Sequence, residues 1–246
     1  MSVYQEIERK ERSYLQARAQ EQAAHGYHAK IKLCGLTREC DIAQANELLV
    51  DYIGLVFAPR SKRYVSAEQA AALKAKLRPE IQAVGVFVDA DPAEIVKLYA
   101  AGTIDVVQLH GHEDEIYLGH LRQALANAVC ERQKLMASSK FPTCPKIFKA
   151  FSVKTEADVA LAQASSADFV LLDAGAGGTG KSFDWELASR CTRPYFLAGG
   201  LDPQNVVSAL SALHPYGVDV SSGIESEGLK DLDKMRAFVT GVRSAS

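Results

Sequence analysis

The stretch "KIKLCGLTRECDIAQANELLVDYIGLVF", residues 30–57, holds two short apolar runs separated by a segment rich in Ala, Leu and Glu. The runs at 30–35 and 51–57 have the length and apolar content of buried strands, and the segment 39–50 between them is long enough for a helix. A strand, a helix and a second strand in this order form the repeating unit of parallel α/β folds.

The same alternation continues to the end of the chain. Eight strands are predicted, at residues 30–35, 51–57, 83–89, 105–111, 146–152, 168–173, 194–200 and 217–223. Most of these runs are almost continuously apolar, which is typical of parallel strands covered on both faces. Helix-start signals lie between them at "DPAEI" (91–95), "KTEADV" (154–159) and "DPQNV" (202–206).

Eight strand–helix units favour a closed (β/α)8 barrel, the TIM barrel, over an open doubly wound sheet. The open sheet is further disfavoured because no G-x-G-x-x-G motif follows the first strand. We expect one α/β domain over residues 29–246, preceded by a helical extension at 1–28. The segment 127–143 is longer than most connections in such units, and it is interpreted as a surface extension of the fourth unit.

Composition limits the function classes. The chain has 246 residues, 48% of them hydrophobic, and a formal net charge of −2, so no nucleic-acid partner is expected. No apolar run is long enough to span a membrane, and no signal peptide is evident, which together predict a cytoplasmic protein. Disulfides and a zinc site are not expected, since the five cysteines lack paired spacing: Cys34, Cys40, Cys130, Cys144 and Cys191.

Candidate functional residues lie where predicted strands end, because active sites of such barrels form at the carboxyl-terminal rim. Polar candidates in this ring are Cys34, Arg63, Asp89, His110 and Asp173. Two glycine clusters, "AGGLDPQNV" (198–206) and "VSSGIES" (220–226), follow the seventh and eighth strands. Exposed backbone N–H groups at such turns bind phosphate, so a phosphate site is predicted between them.

The loop after the sixth strand, "DAGAGGTGKSFDW" (173–185), formally matches the G-x-x-x-x-G-K-[ST] phosphate-binding motif at 175–182. A true P-loop follows the first strand of an open sheet, whereas this loop follows the sixth of eight strands. A glycine-rich active-site lid is therefore favoured over a nucleotide site.

Several motifs, taken in order, resemble the phosphoribosylanthranilate isomerase family of tryptophan biosynthesis, over roughly residues 30–242. They are "KLCGLT" (32–37), "GLVFAPRSKRYVS" (54–66), "VGVFVD" (84–89), "VQLHG" (107–111), "LLD" (171–173), "GGTGKSFDW" (177–185), "LAGGLDPQNV" (197–206) and "DVSSGIE" (219–225). The resemblance implies an Amadori rearrangement that converts N-(5-phosphoribosyl)anthranilate to 1-(2-carboxyphenylamino)-1-deoxyribulose 5-phosphate, without metal or cofactor.

The resemblance also implies roles for individual residues. Cys34 is then the general base at C2, Asp173 the general acid at the ring oxygen, and Arg63 the partner of the anthranilate carboxylate, with His110 lining the site. Substrate-binding glycines and serine are Gly178, Gly199, Gly200, Ser222 and Gly223.

These roles set requirements for the two catalytic groups and for the partners. Cys34 needs a lowered pKa or loss of its proton on substrate binding, and an apolar setting would keep Asp173 protonated. The expected partner is a small phosphorylated substrate, and the expected assembly is a monomer or a homodimer.

Two alternatives remain open at this point. One is the related barrel isomerase of histidine biosynthesis, which is expected to have an aspartate where Cys34 stands and needs two phosphate sites. The other is a barrel that binds phosphorylated metabolites without catalysis, which would be free to lose Cys34 and Asp173.

Overall fold

The structure is a computed structural model that describes residues 27–135, 145–173 and 185–245, with the backbone alone for 130–135. Residues 1–26 of the predicted helical extension, the candidate Gly178 and the rest of the lid up to residue 184 lie outside the described residues.

Eight parallel strands close into a barrel in chain order, which confirms the predicted fold class. The strands are β1 (Lys30–Cys34), β2 (Tyr52–Val56), β3 (Gln82–Phe87), β4 (Val106–Leu109), β5 (Ile147–Ser152), β6 (Phe169–Asp173), β7 (Tyr195–Ala198) and β8 (Gly217–Val220). Each lies within its predicted run, apart from Gln82, one residue before the third.

Helices of the described part of the chain follow the strands and cover the barrel. They are α1 (Glu39–Leu48), α2 (Ala67–Lys74), α3 (Pro92–Ala100), α4 (Glu115–Leu135), α5 (Glu156–Ala164), α6 (Trp185–Ser189), α7 (Val206–Leu213) and α8 (Leu232–Ser244). After β8, a 3₁₀ turn (Ser222–Ile224) leads into a small hairpin of β9 (Glu225–Ser226) and β10 (Leu229–Lys230). None of these helices is long and apolar enough to cross a membrane.

The lower interior of the barrel is filled by aromatic side chains. The rings of Tyr52, Phe148 and Phe196 meet with centroids 5.0 to 5.7 Å apart, and Phe169 packs against Phe148 and Phe196. Aromatic contacts of this kind bury large apolar areas and exclude water. All four residues lie at the first or second position of their strands, so this cluster fills the amino-terminal end of the barrel.

Two of the predicted helix starts are confirmed. Asp91 accepts a hydrogen bond from the backbone N–H of Ala93, with Pro92 in the first turn, and Thr155 forms a capping box with Asp158.

One predicted helix start is displaced. The helix that the signal at 202–206 predicts begins only at Val206, because the Asp202 carboxylate accepts the N–H groups of Gln204 and Asn205 and holds a preceding turn. Residues 127–135, the first part of the predicted surface extension, are helical and continue α4, since this stretch contains no glycine or proline to end the helix. Residues 136–143 lie outside the described residues.

Candidate active site

Four predicted site residues lie at the carboxyl-terminal rim of the barrel. Cys34 is the last residue of β1, Asp173 is the last residue of β6, and His110 directly follows β4. Arg63 lies in the loop between β2 and α2. Because the strands are parallel and closed into a barrel, all four residues lie at the same end of the molecule.

Cys34 lies in a buried, charged environment. Cys34 is 8% exposed. A Cβ atom added to Gly54 of the neighbouring strand would lie only 2.6 Å from the Sγ atom of Cys34, so a glycine is needed there to leave space for the thiol. Lys32, two residues earlier in β1, lies on the same face and is wholly buried. Its Nζ atom lies 2.8 Å from Oδ1 of Asp219 in β8.

Burial raises the pKa of the Cys34 thiol, while the Lys32 ammonium group opposes the rise and Asp219 adds to it. Of the two alternatives expected for Cys34, a lowered pKa is not found, because removal of the thiolate charge from water outweighs the nearby cation. Loss of the proton on substrate binding stays a prediction. Burial also disfavours the charge of Lys32, but its interactions with Asp219 and Cys34 are stronger and raise the lysine pKa.

Sequence reasoning missed Lys32 and Asp219. The available signal is one basic and one acidic residue inside apolar strand runs, "KIKLC" and "GVDV". The two positions are register partners across the β1–β8 seam. They become neighbours only when the barrel closes, so the pair is interpretable only after a closed barrel is assumed.

Asp173 faces His110 on the other side of the rim. Oδ2 of Asp173 lies 3.3 Å from Nε2 of His110, and the two side chains are 28% and 37% exposed. The apolar setting expected for Asp173 is therefore not found; its carboxylate lies in a polar, partly exposed setting.

A buried amide fixes the orientation of the His110 ring. Nε2 of Gln108 lies 3.1 Å from Nδ1 of His110, and Gln108 is wholly buried. A proton donated by the amide to Nδ1 leaves the ring proton on Nε2, facing Asp173.

Arg63 is held by a carboxylate from the loop after β8. Its Nε and Nη2 atoms lie 2.5 and 2.8 Å from the two carboxylate oxygens of Glu225. Lys230 donates to the same carboxylate at 2.7 Å. Burial alone would raise the pKa of Glu225, but the hydrogen bonds and charges of Arg63 and Lys230 lower it to about 2. Glu225 and Lys230 were not predicted as site residues.

The two glycine clusters lie against each other. A Cβ atom on Gly223 would lie 1.9 Å from the carbonyl oxygen of Leu201, so the turn after β8 packs directly on the loop after β7. Gly199 and Gly200 have φ values of 81° and 67°, a conformation that favours glycine. Ser222 begins the 3₁₀ turn and Gly223 follows it, which places their backbone beside the β7 loop.

Asp89, which has no predicted role, lies outside this arrangement. Its carboxylate accepts the backbone N–H of His112 and lies 2.9 Å from the Nδ1 atom of that exposed side chain. Within the described ranges, no group of three or more His, Cys, Asp or Glu side chains is placed to hold a metal ion.

Comparisons with known proteins point to one family. Residues 31–241 match the family model "N-(5'phosphoribosyl)anthranilate (PRA) isomerase". A curated N-(5'-phosphoribosyl)anthranilate isomerase from Endomicrobium trichonymphae is 41% identical over 219 residues, covering 87% of this chain and 98% of the relative.

Solved structures give the same result. Phosphoribosyl anthranilate isomerase from Thermotoga maritima aligns with a TM-score of 0.74 and 34% identity, over 88% of this chain and 99% of that one. A second structure of the enzyme, in complex with reduced 1-(o-carboxyphenylamino)-1-deoxyribulose 5-phosphate, aligns with a TM-score of 0.71 and 32% identity over the same shares. A third structure contains monomers generated from the dimeric Thermotoga maritima enzyme. It aligns with a TM-score of 0.71 and 33% identity, with the same coverage.

Proposed function

The chain belongs to the N-(5'-phosphoribosyl)anthranilate isomerase family of tryptophan biosynthesis, and from this premise we propose that Cys34 is its general base and Asp173 its general acid. The reaction is an aldose–ketose isomerisation of N-(5-phosphoribosyl)anthranilate. The observation that supports the assignment best is that the two groups end β1 and β6 at the same rim, on different sides of one barrel.

The first step opens the sugar ring. Asp173 donates a proton to the furanose oxygen, the bond between C1 and that oxygen breaks, and the anilino nitrogen lone pair forms the Schiff base. His110 lies 3.3 Å from Asp173, and its Nε2 proton stabilises the carboxylate that remains after the transfer. Gln108 supports this role, because its amide orients the imidazole ring.

The second step moves a proton from C2. The Cys34 thiolate removes the C2 proton, electrons flow to the Schiff-base nitrogen, and the resulting enol tautomerises to the ketone. The thiol has a raised pKa in the free protein, so its proton passes to water on substrate binding, before the thiolate acts. Lys32 then stabilises the thiolate, while Asp219 keeps the lysine charged and in place.

Substrate binding is assigned to three groups of residues. Arg63 binds the anthranilate carboxylate through its planar guanidinium group. The backbone of Gly199, Gly200, Ser222 and Gly223 binds the phosphate, because these turns from two loops pack together. Gly178 remains a substrate-binding prediction from the sequence.

The experiment is a fluorescence assay on the purified chain. Freshly generated phosphoribosylanthranilate should lose its fluorescence on addition of the enzyme, at the same rate with and without EDTA. The bisphosphorylated aminoimidazole substrate of the related histidine-pathway isomerase is the specificity control, and we expect no turnover of it. Loss of activity with EDTA that a divalent metal restores would contradict the acid–base assignment.

The partner and location predictions are tested separately. A phosphorylated small molecule is the expected ligand, and the enzyme is expected as a monomer or homodimer in the cytoplasm. Light scattering coupled to gel filtration gives the oligomeric state, and cell fractionation gives the location. The dimeric state named for the Thermotoga maritima relative supports the second of the two oligomeric options.

A further inference from the structure

Glu225 is a buried carboxylate that the reaction steps above do not use. Its side chain is only 6% exposed, and it lies among three cations. Arg63 and Lys230 bind it at 2.5 to 2.8 Å, and Nζ of Lys62 lies 3.6 Å away. The pKa of this carboxyl group is lowered to about 2, so it is ionised at neutral pH.

The contact occupies one edge of the Arg63 guanidinium group. Glu225 accepts from Nε and Nη2, the side edge of the group. The end edge, formed by Nη1 and the second proton of Nη2, has no hydrogen-bond partner in the described part of the chain, and the side chain is 21% exposed. A guanidinium group can bind one carboxylate at each of these edges.

The stem of Arg63 is fixed beside the base. A Cβ atom on Gly35, the residue after Cys34, would lie 2.4 Å from Cδ of Arg63, so the arginine stem lies directly on the glycine. Lys230, which also binds Glu225, donates to the carbonyl oxygen of Ser221 at 2.9 Å, and the Ser221 hydroxyl donates to the carbonyl of Cys34. Glu225 is thus joined to the Cys34 backbone through two hydrogen-bonded residues.

We propose that Glu225 is a positioning residue that holds the side edge of Arg63 and so directs its end edge toward the carboxylate of the substrate. The inference rests on the role of Arg63 proposed above. Glu225 thereby contributes to the selection of a substrate that carries an ortho carboxyl group on its ring. It also offsets the charge of Lys230, so that only the arginine presents a geometrically defined anion site.

The test compares two ligands that differ in a single group. Calorimetry measures the binding of two ligands. The first is reduced 1-(o-carboxyphenylamino)-1-deoxyribulose 5-phosphate, a product analogue, and the second is the same compound without the ring carboxyl group. For Glu225→Gln, we expect about tenfold weaker binding of the carboxylated ligand, the loss typical of a disturbed charged hydrogen bond. Binding of the ligand without the carboxyl group should remain within about twofold of wild type, because that ligand has no group for Arg63 to bind. A purely structural role of Glu225 would instead weaken the binding of both ligands alike.

Matched variants separate the possible outcomes. Glu227→Gln changes an exposed carboxylate two residues away in the same turn and should affect neither ligand. Glu225→Asp keeps the charge on a shorter side chain and should give an intermediate selective loss; it replaces Glu225→Gln if that variant does not fold. Tighter binding of the carboxylated ligand by Glu225→Gln would show that Glu225 competes with the ligand carboxylate for Arg63, and it would overturn the inference. Equally weakened binding of both ligands would overturn it too.

Arg63→Ala distinguishes failure of the inference from failure of its premise. If Arg63→Ala binds both ligands as wild type does, the proposed role of Arg63 is wrong and the inference about Glu225 falls with it. If Arg63→Ala loses the preference for the carboxylated ligand while Glu225→Gln retains it in full, only the inference about Glu225 is overturned.

Discussion

The two sides of the active-site rim differ in their exposure to water. On the β1 side, Cys34 is 8% exposed and Lys32 is wholly buried against Asp219. On the β4 and β6 side, His110 and Asp173 are 37% and 28% exposed. After the roles proposed for Cys34 and Asp173, we call the β1 side the base side and the β4 and β6 side the acid side.

Under the roles proposed for Cys34 and Asp173, this difference implies a different preparation of each group for proton transfer. Burial on the base side disfavours the thiolate, so a fixed lysine is needed to stabilise it when it forms. The acid side remains in contact with water, and a neighbouring histidine can compensate for a lost proton. A change on the base side should therefore cost more than the matching change on the acid side.

The largest effect is expected for Cys34→Ser. A hydroxyl group fills nearly the same space but is much harder to ionise, so kcat should fall by about 10²–10⁴-fold while the thermal midpoint is unchanged. Cys191→Ser is the matched control, because Cys191 is equally buried but precedes β7, at the opposite end of the barrel from the rim. Near-normal kcat in Cys34→Ser would show that Cys34 is not the base and only packs against its neighbours.

Lys32→Met tests whether the buried charge is paired. Removal of one partner leaves Asp219 buried without its cation, and urea unfolding should show a loss of about 3–5 kcal/mol. Lys30→Met, on the same strand, breaks a half-exposed pair with Asp51 and should cost about 0–1 kcal/mol.

The double variant Lys32→Met/Asp219→Leu checks this explanation. It removes both charges and should recover most of the lost stability, because no unpaired charge remains in the interior. A double variant as unstable as Lys32→Met would indicate lost packing rather than an unpaired carboxylate.

On the acid side, Asp173→Asn should lower kcat by about 10²-fold, the lower end of the usual range. An amide cannot deliver the proton that opens the ring, but His110 remains within reach of the site. Asp168→Asn is the control, since Asp168 precedes the same strand at the opposite end and binds the backbone N–H of Ile147. A loss larger than that of Cys34→Ser would reverse the order proposed for the two sides.

The smallest effect concerns acid stability. The pKa of Glu225 is lowered to about 2 in the folded protein, so its contribution to stability is present above the unfolded pKa of about 4.5 and is lost as pH falls from there toward 2. Urea unfolding at pH 7 and pH 3 should show a smaller difference in Glu225→Gln than in wild type. An equal difference in both proteins would assign the acid sensitivity to other carboxylates.

The barrel and the ring of candidate residues could be predicted from sequence, because both follow from local patterns. Apolar runs mark the strands, and Cys34 and Asp173 lie where those runs end. Helix boundaries were less predictable: Asp202 resembles a helix cap but forms a turn that precedes α7.

The electrostatics of the site could not be predicted, because they depend on contacts between distant parts of the chain. Lys32 and Asp219 meet only across the closed seam, and Glu225 reaches Arg63 from a hairpin 162 residues further along. The raised pKa of Cys34 follows mainly from burial of its thiol, and the degree of burial cannot be read from an apolar stretch of sequence.

The seam between β1 and β8 also has a consequence for synthesis of the chain. Lys32 emerges from the ribosome early, and its partner Asp219 follows 187 residues later. Until β8 is added, a partial barrel would have to bury an ammonium group with no counter-ion, which is strongly unfavourable. The pair therefore penalises closure of an incomplete chain, and fragments that lack β8 should stay open and accessible to proteases.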